Sequence, residues 1–522
     1  MRSGAHDLIE TLIACGVDVC FANPGTSEMH FVAALKDYPQ MRPILCLFEG
    51  GVTGAADGYG RMARTPAATL LHLGPGLANG LAGLHNAKKA RTPMVNVIGD
   101  HATFHKQYDA PLNSDVEATA RPYAHAILGA TGTDSLAADT ARAVAAAREN
   151  GGQISCLVLP ADLAWAEGRG GGRRRDAAAR ESVGADALEA ATGAVLSGGK
   201  VGLILGGEAC FGSGLRIAGQ IAAETGVSLL VPNATGRVER GRGLPPLDRI
   251  PFPVPAAVSL LRGYDTLILV GAIEPVAFFA YPGLPSRVVD PLTRIVTLAT
   301  PAQDVADALS RLCAATGAAG TPFRPVAAVD PDLPEGPLEP DSFAAVLARH
   351  VHDDTIVVDE GVTSSRGLFD KSRGAPRHDL LVNVGGAIGA AMPLALGAAV
   401  ACPDRPVLCI TGDGSASYTV QTLWSLAQQK SNVTIVVCAN HTYEILRGEM
   451  LRVGAMAPED RANPLLDIEH PRVDWVALAR GYGVPARRAE TVADLDAALA
   501  DATARRNGPH LIEVPLAAGT AT

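Results

Sequence analysis

Aromatic residues make up only 4% of this 522-residue chain, and basic residues are outnumbered, 44 Lys and Arg against 54 Asp and Glu, for a net charge of −10. With a pI near 5.7, the chain lacks the basic footprint of a nucleic-acid binder, so small molecules are the expected partners. No CxxC pair occurs among its nine cysteines (Cys15, Cys20, Cys46, Cys156, Cys210, Cys313, Cys402, Cys409 and Cys438). Their odd number and wide scatter do not suit a disulfide framework, and reduced, mostly buried thiols are expected. No apolar run reaches membrane-spanning length. The N-terminal MRSGAHDLIETLIACGVDVCF reads as an amphipathic helix leading into a strand, not as a cleavable secretory signal. The expected compartment is the cytoplasm. No short-period repeat is visible.

What is present is apolar and small. Hydrophobic residues reach 48% and charged ones 19%, which is ample for large cores and argues against disorder. An Ala-, Gly- and Val-rich balance suits α/β layers, in which helices pack closely on parallel strands. Residues 1–166 alternate helical patterns with the strand candidates DVCFANPG, ILCLFEG, ATLLHLGPG, PMVNVIGD and ISCLVLP. Residues 167–182, EGRGGGRRRDAAARES, are glycine- and arginine-rich, lack apolar periodicity and read as a solvated connector. A second α/β unit over 183–319 carries VGLILGG, SLLVPN, TLILVGA and RIVTLA. Pro- and Gly-rich sequence at 320–340 marks another boundary before a third unit, 341–522, with TIVVDEG, VLCITGDG, VTIVVCAN and HLIEVPL. Three doubly wound parallel-sheet domains are the simplest account.

VLCITGDGSASY places Gly412, Asp413, Gly414 and Ser415 just past an apolar strand, in the crevice where open parallel sheets bind ligands. The following TVQTLWSLAQQK reads as a helix whose N-terminal amides suit a diphosphate. VTIVVCAN ends a second strand at Asn440, with His441 and Thr442 beyond it. A hard cation such as Mg²⁺ takes oxygen ligands and usually bridges phosphates instead of sitting in an all-protein cage. Asp413, Asn440 and a backbone carbonyl near Thr442 would leave room for two phosphate oxygens and a water. Gly-Asp-Gly by itself is more often a turn than a metal loop, since both residue types suit turns, and the second strand ending in Asn440 changes that balance.

GDG followed by Asn440, 27 residues after Asp413, resembles the thiamine-diphosphate motif of the 2-oxo-acid decarboxylase and acetolactate synthase superfamily. The resemblance covers nearly the whole chain and implies three α/β domains in the order pyrimidine-binding, central and diphosphate-binding. GDGSASYTVQTLWSLAQ and ANHTYEILR are most similar to the benzoylformate decarboxylase-like branch.

That likeness assigns roles to further residues. Glu49, in ILCLFEGGVTGAADGYGRM, matches the glutamate that protonates the aminopyrimidine so that the thiazolium C2 proton is removed. The alternative for Glu49 is a carboxylate near a helix start. If the superfamily organisation holds, Glu49 serves the partner subunit's active site, which implies a homodimer or homotetramer. In VNVGGAIGAAMP, Gly386 matches a backbone acceptor for the aminopyrimidine and Ile388 the apolar wedge beneath the bent cofactor, the alternative for Ile388 being plain core. Gly361 and Thr363, in DEGVTSS, fit a loop near the diphosphate.

Above the reactive carbon, Thr26 in FANPGTSEMHF stands where benzoylformate decarboxylases usually carry a pocket serine, with Ser27 beside it. Helix capping explains the same Thr-Ser-Glu run. His72, in LLHLGPGLANG, matches a pocket histidine with a proton-transfer role, where acetolactate synthases usually have a small residue. Asn79 and Asn86 either contact the cofactor or support the loop, and Ile445 matches a position that shapes the substrate side-chain pocket. The polar loop with Asp100, His101, His105, Lys106 and Gln107 reads as exposed sequence at a dimer contact.

Two departures stand out. Benzoylformate decarboxylases carry a second pocket histidine from the central domain, yet no histidine lies between His125 and His350. Acetolactate synthases usually have a tryptophan soon after the metal motif, and TYEILRGEMLRVG has none. The expected activity is decarboxylation of a 2-oxo acid with release of an aldehyde or ligation to a second carbonyl, with thiamine diphosphate and Mg²⁺ as cofactors. Joining of two 2-oxo acids by an acetolactate synthase, and a non-catalytic binding or regulatory homologue, are the alternatives. FAD, carried by some superfamily members, leaves no trace in the sequence.

Overall fold

The computed structural model describes residues 2–455 and 463–516. A six-stranded, wholly parallel sheet is built from β1 (Val19–Asn23), β2 (Arg42–Leu45), β3 (Ala67–Leu71), β4 (Met94–Asp100), β5 (Ala126–Gly129) and β6 (Ile154–Pro160), in the order β2-β1-β3-β4-β6-β5. β4 and β6 are buried at every residue. Such runs need no alternation because helices cover both faces of the sheet.

In the middle of the chain lie β7 (Val201–Leu205), β8 (Ser228–Val231), β9 (Val238–Arg240), β10 (Asp248–Arg249), β11 (Thr266–Val270) and β12 (Arg294–Ala299). Five of these form a parallel sheet ordered β10-β8-β7-β11-β12. The exception is β9, which pairs antiparallel with a strand of the third sheet through His378↔Arg240, Asp379↔Glu239 and Leu380↔Val238. Nothing in the apolar pattern signals this crossing, because Val-Glu-Arg is short and two-thirds charged. The third sheet comprises β13 (Ile356–Glu360), β14 (His378–Val382), β15 (Val407–Gly412), β16 (Val433–Ala439), β17 (Ala486–Arg488) and β18 (His510–Pro515), ordered β17-β18-β16-β15-β13-β14-β9. The fold is thus three parallel-sheet α/β layers, as the strand pattern predicts.

The first and third sheets share one continuous apolar core. Its centre is a crossing of the helices Glu49–Ala63 and Ala391–Ala401. Glycine makes that crossing close: a Cβ on Gly58 would sit 2.8 Å from Leu394 Cα, and one on Gly54 2.6 Å from Pro393 Cβ. The connector after Glu167 has no regular structure, but it is fastened to the first helix. Arg169 and Gly170 amides donate to Asp7 Oδ2 at 2.6 and 3.0 Å, and the Gly172 amide to Thr11 Oγ1 at 2.7 Å.

The helix expected over TVQTLWSLAQQK is present but shorter. Behind the Gly-Asp-Gly run the chain does not pass straight into a long helix. It makes a single turn, Asp413–Ala416, and the helix proper is Thr422–Gln428. Between them the Thr419 hydroxyl donates to Gly389 O at 2.8 Å and holds the chain aside. The backbone amides next to Asp413 therefore belong to that one turn.

Candidate active site

The candidate residues fall into two groups, each at the C-terminal edge of a sheet. In the third sheet the neighbouring strands β16, β15, β13 and β14 deliver, in that spatial order, Asn440–Thr442, Gly412–Ser415, Gly361–Thr363 and Gly386–Ile388. The crevice at β15/β13, where the connections leave in opposite directions, is the switch point of this sheet.

Asp413 is 4% exposed. Its Oδ1 accepts from the Gly414 amide at 2.9 Å and its Oδ2 from the His441 amide at 2.7 Å. Burial pushes this carboxyl up to about 6 against the opposing pull of the two amides. A cation would offset that burial. Asn440 Oδ1 accepts from the Thr442 amide at 3.2 Å, while the Thr442 hydroxyl donates to Leu466 O at 2.9 Å, leaving Thr442 its main chain to offer a metal. Gly414 lies under the Tyr443 ring, where a Cβ would reach within 3.0 Å of Cδ1. Among the described residues no cluster of three or more His, Cys, Asp or Glu is placed to hold a metal. A cation here would rely on Asp413, an amide oxygen, main-chain oxygen and phosphate, which is the hard oxygen set Mg²⁺ takes.

Backbone strain marks the same edges. Leu73, Val362 and His441 have φ of 47°, 50° and 54°, the left-handed region that side chains rarely adopt, and each adjoins a candidate residue. Val362, β-branched and between Gly361 and Thr363, is the most costly of the three. Strain of this kind persists where surrounding structure over-determines it, commonly at ligand sites.

Glu360, unmentioned by the motif reading, ends β13 and pins the next loop. Its Oε1 accepts from Asn383 Nδ2 at 2.9 Å and the Ala390 amide at 3.2 Å, and its Oε2 from the Ala391 amide at 3.1 Å. Gly386 follows with φ 84°. Ile388 is half-buried and belongs to none of the core clusters. Asn86 clamps this loop to the first domain, donating to Ala387 O at 2.8 Å and accepting from the Ala387 amide at 3.2 Å. Burial raises the Glu360 carboxyl to about 7. The folded state therefore holds the extra proton between the ordinary value near 4.5 and about 7, and this group's contribution to stability is lost as pH rises through that window. Glu360→Gln is expected to flatten the fall in thermal midpoint between pH 5 and pH 7.5, measured beside the parent protein. An unchanged slope would contradict that assignment.

In the first sheet, Glu49 opens the helix Glu49–Ala63 and is 6% exposed. Asn23 Nδ2, at the end of β1, donates to Glu49 Oε1 at 3.0 Å, and Asn79 Nδ2 donates to Oε2 at 3.0 Å. Asn79 is thus a holder of the carboxylate. Gly76 keeps space above it, since a Cβ there would lie 3.3 Å from Glu49 Oε1. Asn23 escaped the sequence reading; its place at the end of the strand beside β2 and β3 was the available signal.

The Thr26–Glu28 turn resolves the capping question. Its N-cap is Gly25, whose amide donates to Glu28 Oε2 at 2.8 Å, so Glu28 and not Thr26 does the capping. Among the described residues neither the Thr26 nor the Ser27 hydroxyl has a hydrogen-bond partner, and Thr26 is exposed. The same Glu28 Oε2 lies 2.8 Å from His72 Nδ1. Glu28 is 2% exposed and its Oε1 has no partner. A buried carboxylate at Nδ1 fixes the imidazole orientation and favours the tautomer with a proton on Nδ1, leaving Nε2 for chemistry. Glu28→Gln is expected to lower kcat roughly 10- to 100-fold with KM and cofactor affinity nearly unchanged, the scale seen when a partner that orients a working imidazole is lost. Equal losses in kcat and cofactor affinity would indicate a structural role instead.

The central domain contributes an aromatic segment. Phe278 packs against Phe252 in a tilted pair and edge-on against Phe279, at centroid distances of 5.5 and 5.0 Å, and its Cζ lies 3.1 Å from where a Cβ on Gly386 would stand. The central domain, which has no histidine, thus brings a phenyl ring to the loop that carries Gly386. Ile445 lies half-buried on the helix Glu444–Arg452. The 100–108 loop exposes Phe104 and Tyr108, while Asp100 is buried and ion-paired with Lys106.

A carboxylate held by two amides at one sheet edge, and an Asp–Asn pair above a glycine turn at another, fit a protein that binds a diphosphate cofactor. Two family descriptions match: the N-terminal thiamine pyrophosphate-binding domain over residues 2–117 and the C-terminal one over 365–514. Over 98% of both chains, the protein is 48% identical to an acetolactate synthase-like large subunit, IlvX, of Mycobacterium tuberculosis. It is 31% identical to benzoylformate decarboxylase of Pseudomonas aeruginosa over 97% of both chains. The 4-hydroxybenzoylformate decarboxylase structure from Rhodococcus jostii RHA1 superposes with a TM-score of 0.86 at 25% identity, covering 99% of each chain. The chain belongs to the thiamine pyrophosphate enzymes. Its cofactor is thiamine diphosphate.

Proposed function

We propose that the enzyme decarboxylates a 2-oxo acid and then either releases the aldehyde or joins the bound fragment to a second carbonyl. The observation that carries this reading is His72, held through Nδ1 by buried Glu28 at the strand end next to the unpartnered Thr26 and Ser27 hydroxyls. When bound, thiamine diphosphate would supply a carbon nucleophile for the keto group and an electron sink for the loss of CO₂. Glu49, fixed by Asn23 and Asn79, holds the proton exchanged with the aminopyrimidine nitrogen. Asp413, Asn440 and the Thr442 carbonyl would hold Mg²⁺, and Gly361, Thr363, Gly412, Gly414 and Ser415 would bind the diphosphate. The main chain at Gly386 would bind the pyrimidine, and Ile388 would support the cofactor as an apolar wedge. The Thr26 and Ser27 hydroxyls orient the substrate carboxylate, and His72 Nε2 moves a proton at the product carbon. Ile445 and the phenyl rings of Phe278 and Phe279 form an apolar wall suited to a hydrophobic side chain.

Two subunits complete each site in this reading. Among the described residues no hydrogen bond joins Glu49, His72 or Thr26 to the Asp413–Asn440 group. The sheet edge that carries Glu49 exposes Met29, Leu47, Phe104 and Tyr108, and the edge that carries Asp413 exposes Val362, Tyr418, Leu446 and Leu465. Two such apolar faces support a homodimer or homotetramer in which one covers the other. All nine cysteines are free, and among the described residues no helix is long and apolar enough to cross a membrane. Both fit a cytoplasmic enzyme.

The second reading, an acetolactate synthase joining two 2-oxo acids, is favoured by the name of the 48% identical relative. A panel of 2-oxo acids, with and without acceptor aldehydes, separates the two. CO₂ and aldehyde or mixed acyloin from apolar 2-oxo acids is expected. Acetolactate from pyruvate alone, with no turnover of larger acids, would establish the second reading. No turnover of any acid by the thiamine-loaded protein would leave a binding homologue.

A further inference from the structure

At the junction of all three domains lies a cavity of about 290 Å³ lined by five arginines: Arg64, Arg216, Arg237, Arg377 and Arg405. Arg64 comes from the first domain, Arg216 and Arg237 from the central one, Arg377 and Arg405 from the third. Only three carboxylates, Glu239, Asp354 and Asp379, line the same space. It sits where β13, β14 and β15 begin. Asp413 and Asn440 follow the other ends of these strands and their neighbour, about 20 Å away for strands of this length. Thus the cavity lies apart from the cofactor site.

The carboxylates do not use up the guanidiniums. Asp379 accepts from Arg237 and Arg405 at 2.6 and 2.7 Å, and Asp354 pairs with Arg377 at 2.7 Å. Glu239 spends one oxygen on the Gly212 amide at 2.6 Å, and its other lies 3.8 and 3.5 Å from Arg216 and Arg377, beyond hydrogen-bond length. Arg64 pairs outside the lining with Glu208, which Arg180 shares at 2.7 Å. Counting these two, six guanidiniums meet four carboxylates, and each guanidinium carries five donors. Phe211 engages the guanidiniums of Arg64 and Arg237, whose Cζ atoms lie 5.1 and 4.6 Å from the ring centroid. Burial, then Arg180 and Arg237, lower the Arg64 pKa, as expected of positive charge in excess. Arg216 and Arg377 are nearly half exposed, which gives a ligand access.

We propose that this three-domain cavity binds a small phosphate-bearing anion, at a site separate from the thiamine diphosphate site on the opposite edge of the same sheet. Planar guanidiniums with spare donors match phosphate oxygens in paired fashion. Phe211 already carries two cations, so the phosphate is the group recognised, not a stacked base. Arg237 also donates to Arg61 O and Met62 O at 3.3 Å, at the far end of the helix that begins with Glu49. Occupation of the cavity would therefore brace the junction behind that helix.

The test titrates holoenzyme saturated with thiamine diphosphate and Mg²⁺, in separate arms, with orthophosphate and with glycerol 2-phosphate, following heat and thermal midpoint at constant ionic strength against sodium chloride. Saturable binding in either arm is expected, with a rise in midpoint, and the tighter arm distinguishes free phosphate from a phosphorylated metabolite as the source. Arg216→Gln should weaken binding roughly tenfold or more, as for loss of a charged hydrogen bond, with turnover in phosphate-free buffer unchanged. Asp354→Asn, which frees Arg377, should tighten it. A response that chloride reproduces would overturn the proposal. So would an affinity unmoved by Arg216→Gln or, should that variant fail to fold, unmoved by Asp354→Asn.

Discussion

Replacing Asp413 with alanine is expected to weaken loading of thiamine diphosphate at micromolar Mg²⁺ on the order of 100-fold or more, with turnover lost in proportion. The scale follows from metal sites in which loss of an outer partner already costs ~10- to 100-fold in affinity, so that a direct ligand costs at least as much. Burial holds the Asp413 carboxyl up to about 6 with two backbone amides as its closest partners and, among the described residues, no Lys or Arg ion-paired with it. A buried carboxylate of that kind gains most from a cation. Alanine also frees the His441 amide, which loosens the strained turn at φ 54°, so circular dichroism should accompany the titration. Calorimetry of cofactor binding across a Mg²⁺ series provides the check, and parent-like affinity at low metal would remove Asp413 from the ligand set.

The strands that carry these groups were legible because a parallel strand covered on both faces reads as an unbroken apolar run. VTIVVCAN and VLCITGDG could scarcely be anything else, and the polar residue that ends each run stands at the sheet edge by construction. Asp413 and Asn440 could therefore be placed together from sequence once their strands were recognised as neighbours. Glu28 and Glu360 were not legible, and Asn23 only by its place at a strand end, because their contacts depend on which strand lies next to which. Glu28 meets His72 across 44 positions and Asn23 meets Glu49 across 26, separations that no periodicity encodes. The capping pattern Thr-Ser-Glu did contain Glu28, but helix propensity explained the glutamate well enough to hide its second contact. For β9 the difficulty was composition: a strand of Val, Glu and Arg that crosses to another sheet carries no hydrophobic signature. The arginine cavity was invisible for the same reason as Glu28, since its lining is gathered from positions 64 to 405.

Glu49→Gln is expected to keep cofactor affinity and lose about 10²- to 10⁴-fold in kcat, the range for removal of a positioned acid or base. The amide retains the size that Asn23 and Asn79 enclose, but it cannot exchange a proton with the aminopyrimidine. One of its two contacts must also turn, because a glutamine nitrogen cannot accept from a second amide N–H. Undiminished turnover would remove Glu49 from the mechanism. The variant further decides where the site is assembled. If Glu49 of one subunit serves the Asp413 of another, a mixed dimer of Glu49→Gln and Asp413→Ala chains contains one doubly altered site and one intact site. Two nearly inactive proteins, unfolded and refolded together in equal amounts, should then recover about a quarter of parental activity, since half the dimers are mixed and each restores half its sites. If Glu49 and Asp413 act within one chain, every site in every dimer carries one lesion, and mixing restores nothing. Recovery near a quarter would show that the apolar faces at the two sheet edges meet between subunits and close the site, with Glu49 on one side and the metal ligands on the other.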